Sequence, residues 1–162
     1  KLLTYISLAA ALTAVQAPGA DKDKSSEKAP EQEKKAVWLT DFETATKKAA
    51  ELDQPILADF TGSDWCIWCI RLDEQVLSEK AFKDFAKDNL VLFKADFPQR
   101  KKQDEDVKKQ NQELLKKYGV RGFPTVLLLD AKGKVLARTG YRRGGAEAYV
   151  EHLKKLLNKK DA

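Results

Sequence analysis

The chain has two cysteines, three residues apart in Cys66-Ile67-Trp68-Cys69, a short step after the apolar run Ile56-Leu57-Ala58-Asp59-Phe60. A strand apolar on both faces belongs in the middle of a covered sheet, and the turn Thr61-Gly62-Ser63-Asp64 then opens a helix expected to begin at about Trp65. On a helix, positions i and i+3 share a face, so the two sulfurs can meet with little backbone movement. Such a pair can cycle between dithiol and disulfide. A structural zinc site needs about four Cys/His ligands, and the only further candidate is His152, far off in a terminal helical stretch. Covalent haem attachment wants His directly after the second cysteine, where Ile70 stands. No metal and no cofactor are therefore expected. The remaining alternative is a static staple, although so short a ring removes little unfolded-state entropy.

The compartment is read from the first residues. Residues 1–19 have the form of a secretory signal: Lys1, an apolar core through Val15 too short to span a bilayer stably, then small residues that place cleavage after Ala17 or Gly19. The chain starts without Met, so its numbering is expected to begin one residue into a precursor. No cysteine follows the apolar core, which argues against a lipid anchor, and no stable membrane insertion is expected after signal removal. Residues 20–36 are charged and lack aromatics, as a disordered tether does, leaving 37–162 for a single compact domain. Export would put the cysteines in a periplasmic or secreted setting, where disulfides persist and need management. The net charge is +5, but 30 basic residues are interleaved with 25 acidic ones, so a nucleic-acid partner is not expected. Arg100-Lys101-Lys102 reads as a solvated surface, as do Tyr141-Arg142-Arg143 and His152.

The domain alternates between strand and helix patterns. Val37-Trp38-Leu39 reads as a short strand, and Asp41 can cap a helix over 42–52 with Phe42, Ala45, Ala49 and Leu52 on one face. Further helices are expected over 80–87, 103–118 and 146–157, with Gly119 ending the one over 103–118. Strands are expected over 90–95, 125–129 and 134–138, the last two joined by the hairpin turn Asp130-Ala131-Lys132-Gly133. This order requires an α/β fold.

The residues also assign roles to the sulfurs. Cys66 lies in the first helical turn, where free amides and the helix dipole favour an anion by about 0.3–2 kcal/mol, drawing its thiol down from about 8.5. Neighbouring Asp64 opposes this. Cys69, a turn deeper and less exposed, is suited to release what Cys66 has bound. Trp65 and Trp68 flank the pair as candidate platforms for a substrate chain, with ordinary packing as the alternative for Trp65.

Strand, Trp65-Cys66-x-x-Cys69, strand, helix, then Gly119-Val120-Arg121-Gly122-Phe123-Pro124-Thr125 and a hairpin together resemble the thioredoxin superfamily. More narrowly, Gly62-Ser63-Asp64-Trp65-Cys66 and the long charged helix are similar to secreted bacterial thioredoxin-like proteins related to the C-terminal domain of the periplasmic thiol-disulfide interchange protein. The resemblance implies a thioredoxin-like fold, a central mixed sheet flanked by helices on both faces. It implies protein disulfides as substrates, an electron donor such as a membrane thiol-disulfide carrier, and a monomer. It makes Phe123-Pro124 a cis bond beside the cysteines, with Phe123 offering its backbone to an extended substrate. It makes Asp59 the buried carboxylate that assists Cys69; the alternative is a strand-end carboxylate satisfied by the turn at 61–63. Ile67-Trp68 replaces the Gly-Pro of thioredoxin proper, a dipeptide that tunes redox potential across the family. Reduction or isomerisation is expected before oxidation. A function of another class, a non-catalytic interaction module with its disulfide held closed, is the competing expectation.

Overall fold

The computed structural model describes residues 36–158. The expected signal, all but the last residue of the expected tether, and residues 159–162 lie outside that range. Strand β1 (Trp38–Leu39) leads into helix α1 (Phe42–Leu52), whose first turn is capped by Asp41 accepting the Thr44 N–H at 2.7 Å. Asp53 ends α1 in the left-handed region, φ 50°, and Pro55 cannot continue it. Strand β2 (Ile56–Thr61) follows, then helix α2 (Ile67–Leu72), a π-helical turn at Asp73–Leu77, and helix α3 (Lys80–Asn89). Strand β3 (Val91–Asp96), helix α4 (Glu105–Lys117), the hairpin of β4 (Thr125–Leu129) and β5 (Val135–Thr139), and helix α5 (Gly145–Asn158) complete the domain.

The strands order β1-β3-β2-β4-β5, with β1, β3 and β2 parallel and β4 antiparallel to both of its neighbours, β2 and β5. All six residues of central β2 are buried, as its apolar run requires. Period-two alternation sends Ile56, Ala58 and Phe60 to a core shared with α1 and α4, and Leu57 to one shared with α2, α3 and α5. Asp59 and Thr61 share the Leu57 side, so the carboxylate faces the layer that carries the cysteines. Burial of Ile56, Leu57 and Phe60 at roughly 1.5–3 kcal/mol each offsets the cost of placing a carboxyl among them.

Of the boundaries that differ from the sequence reading by one or two residues, two have clear local reasons. The Trp65 and Cys66 N–H groups both turn back to the Gly62 carbonyl, at 3.3 and 2.9 Å, so the helix starts at Ile67 rather than Trp65. Asp104 accepts the N–H groups of Asp106 and Val107, so α4 starts at Glu105 rather than Gln103. The π-helical turn matches no expected element.

Candidate functional site

Cys66 is the N-cap of α2 in extended backbone geometry, and its Sγ accepts the Cys69 N–H at 3.3 Å. The cysteines are paired as a disulfide with Cα atoms 5.2 Å apart, a span that one helical turn meets without distortion of the chain. Cys66 is 7% exposed and Cys69 3%, so accessibility separates them only slightly. Their surroundings separate them more. Cys66 lines a groove of about 450 Å³ with Trp65, Leu115, Val120, Arg121 and Phe123, whereas Cys69 accepts the Gly62 N–H at 3.5 Å and borders a polar pocket with Asp73, Lys94 and Lys101.

Trp65 is 39% exposed yet firmly held: its Nε1–H donates to the Phe97 carbonyl at 2.8 Å, and its ring meets Phe123 edge-on at 5.9 Å. Phe123 lies in turn against Phe97 at 5.0 Å. An aromatic ridge thus runs along the Cys66 groove. Gly62 underlies it, because a Cβ there would come within 2.6 Å of the Trp65 ring. Gly62→Ala is therefore expected to push the indole off the Phe97 carbonyl and raise KM for a peptide disulfide several-fold. Unchanged tryptophan emission and KM in that variant would show that the ring has another seat.

The other predicted residues divide between this groove and its surroundings. Pro124 follows Phe123 through a cis peptide bond but does not line the groove. Trp68, 42% exposed, belongs to a separate cluster: Tyr141 packs on it at 5.2 Å, the Arg71 guanidinium lies 4.8 Å from its centroid, and the Tyr141 hydroxyl donates to Gln75 at 2.8 Å. Tyr141, read from sequence as plain surface, is thus a support for Trp68.

Asp59 is 2% exposed in mid-strand, and among the described residues its Oδ1 has no hydrogen-bond partner, in the following turn or elsewhere. That turn is taken by Asp96, which accepts the Ser63 N–H at 3.0 Å and the Ser63 hydroxyl at 2.6 Å. Burial pushes the Asp59 carboxyl up to about 7; Lys94 opposes the rise while Asp73 and Asp96 add to it. Lys94 is the β3 register partner of Asp59, but its ammonium pairs with Asp73 at 3.3 Å and lies 4.8 Å from the Trp38 ring centroid. A lone lysine inside the apolar strand Leu90–Ala95 is the sequence signal that could have found it. Asp64 does not act as a free charge beside Cys66: it accepts the N–H groups of Gln99, Arg100 and Lys101 at 2.8–3.0 Å, with Gln99 first in holding its carboxyl below the usual range.

Comparison with known proteins places this geometry. The family described as Thioredoxin-like domain matches residues 42–157. Disulfide bond reductase DsbH of Chlamydia pneumoniae is 43% identical over 116 residues, 72% of this chain and 70% of the relative. The solved structure titled DsbH Oxidoreductase superposes with a TM-score of 0.73 at 38% identity, covering 87% of this chain and 95% of that one. A thioredoxin from Thermus thermophilus, at 18% identity and a TM-score of 0.55 over 74% of this chain and 85% of its own, shares the fold. With its Cys66–Cys69 pair at the start of α2 and a mixed sheet beneath it, the chain belongs to the thioredoxin-like family and is a thiol-disulfide oxidoreductase.

Proposed function

We propose that this protein is an exported disulfide reductase in which Cys66 attacks and Cys69 resolves. The observation that carries the reading is the asymmetry around the disulfide: Cys66 lines the open aromatic groove, and Cys69 lies behind it in the layer that Asp59 faces. An extended protein segment entering the groove meets Cys66 first. The Cys66 thiolate attacks one substrate sulfur, the substrate S–S bond breaks, and the departing sulfur leaves with the electron pair and takes up a proton. Cys69 then gives its proton to Asp59 and attacks the Cys66 sulfur of the mixed disulfide, closing the Cys66–Cys69 bond as the second substrate sulfur leaves with its electron pair and takes up a proton, which Asp59 gives back. Two electrons and two protons have passed to the substrate. A carboxyl that titrates near 7 suits that transfer at neutral pH.

One observation favours reduction. A relative named for disulfide reduction shares 43% of the aligned residues. In this reading residues 1–19 direct export to the periplasm, 20–36 tether the domain at 37–162, and a membrane dithiol carrier regenerates the monomeric protein. Trp65 and Phe123 frame the substrate within the groove, and Trp68 and Pro124 flank it from outside. Equilibration with glutathione is expected to give a potential nearer about −270 than about −120 mV. A value at the oxidising end would reverse the direction, and a disulfide that resists mild dithiol would leave a static interaction module in its place.

A further inference from the structure

Beside the aromatic ridge the chain carries Arg100-Lys101-Lys102, exposed in sequence and in structure alike. Among the described residues none of the three forms an ion pair, although acidic side chains abound in this chain. Their position is fixed from beneath. Asp64, two residues before Cys66, holds the amides of Arg100 and Lys101, and the Phe97 carbonyl holds Trp65. Phe97, Pro98, Lys101, Lys102 and Lys108 line a second groove of about 390 Å³, in which Lys108 alone is offset, by Glu105 at 3.6 Å. Phe97 stacks on Phe123, so this basic groove meets the Cys66 groove across one ridge; Arg121 adds a further cation to the Cys66 side.

We propose that the Arg100–Lys102 run and the groove it borders extend the substrate site and select disulfides flanked by acidic residues in the substrate protein. The proposal rests on the reading of the Cys66 groove as the substrate site. Three unpaired cations held on an anchored loop raise the local concentration of an acidic segment and its encounter rate, an effect that salt screens. Asp64 is held by its three amides and forms no ion pair with Lys101 among the described residues, although its charge acts on Lys101 through space.

Two synthetic peptide disulfides test this, identical except for Asp/Glu against Asn/Gln beside the cysteines, with hydroxyethyl disulfide as an uncharged small substrate. The acidic peptide is expected to show kcat/KM on the order of tenfold higher at low salt, and the gap should close as salt rises toward about 0.5 M. The double variant R100Q/K102Q, which spares the Lys101 that borders the Cys69 pocket, should lose most of the preference while reducing hydroxyethyl disulfide at the unaltered rate, and R100E/K102E should invert it. Equal rates on both peptides, or a preference that survives the double variant, overturns the proposal. A preference abolished only by R121Q would overturn it too, by moving selection to Arg121. Failure of the unaltered protein to turn over hydroxyethyl disulfide would instead strike the oxidoreductase reading, and the selection argument would fall with it.

Discussion

Cys69→Ser is expected to convert the protein into a trap: incubated with a disulfide-bearing protein, it should accumulate a covalent adduct through Cys66 that dithiol dissolves. Cys66→Ser should trap little and should lose turnover by on the order of 10⁴-fold or more, as removal of a nucleophile does. The asymmetry follows from position. Cys66 caps α2 with the Cys69 amide directed at its sulfur and lines the Trp65–Phe123 groove, while Cys69 reaches that groove only through Cys66. Non-reducing electrophoresis and intact mass of the adducts decide it. Equal trapping by both variants would mean that the buried sulfur is reached from the pocket shared with Asp73 and Lys94, and the assignment of roles would be reversed or void.

Asp59→Asn is expected to split stability from activity. Below the ordinary carboxyl value of 3.8, folded and unfolded chains both hold the proton and the residue has no pH-dependent effect. Between 3.8 and about 7 the unfolded chain ionises while the folded one stays protonated, so stability falls as pH rises; above about 7 both are ionised and the loss is constant, at most about 4 kcal/mol. The variant should therefore gain on the unaltered protein by up to that amount between pH 4 and pH 8. A buried amide also lacks partners, at a cost of about 2 kcal/mol that does not vary with pH, so the variant should be about 2 kcal/mol less stable near pH 4 and about 2 kcal/mol more stable at pH 8. Release of the mixed disulfide should slow by on the order of 10²-fold and lose its inflection near pH 7, the loss of a proton acceptor. Denaturant unfolding at the two pH values and single-turnover release measure the two effects. A variant no more stable at pH 8, with release unchanged, would show that Asp59 keeps a normal carboxylate and takes no proton from Cys69.

Much of this was legible along the chain. The unbroken apolar run of β2 marks a strand covered on both faces, and Asp41 with Asp53-Gln54-Pro55 brackets α1 closely. The cysteine spacing and Phe123-Pro124 carry the family resemblance without any contact. What escaped depends on long-range pairing or on weak local signals. A cysteine N-cap is not among the usual Ser, Thr, Asp or Asn signals, so the start of α2 was read early. The π-helical turn at Asp73–Leu77 leaves no periodic mark, yet it sets Asp73 against Lys94 and so helps govern Asp59. Asp64 bonds to backbone amides 35–37 residues downstream, and no pattern of side chains announces such partners. Tyr141 joins Trp68 only because the chain leaving β5 passes α2.

A cross-link confined to one turn of α2 fastens no distant parts of the molecule together. Its closed loop is worth only about 2 kcal/mol of chain entropy, against a sheet whose β2 and β4 are buried along nearly their whole length. The scaffold is therefore a chassis that stays put while its sulfurs open and close, and a redox cycle makes no mechanical demand on the remainder. By the same thermodynamic cycle, the difference in unfolding free energy between oxidised and reduced protein equals the difference in potential between the folded pair and the same two thiols in the unfolded chain. Two denaturation curves, taken with and without dithiol, would serve as a voltmeter for what the fold alone does to this disulfide.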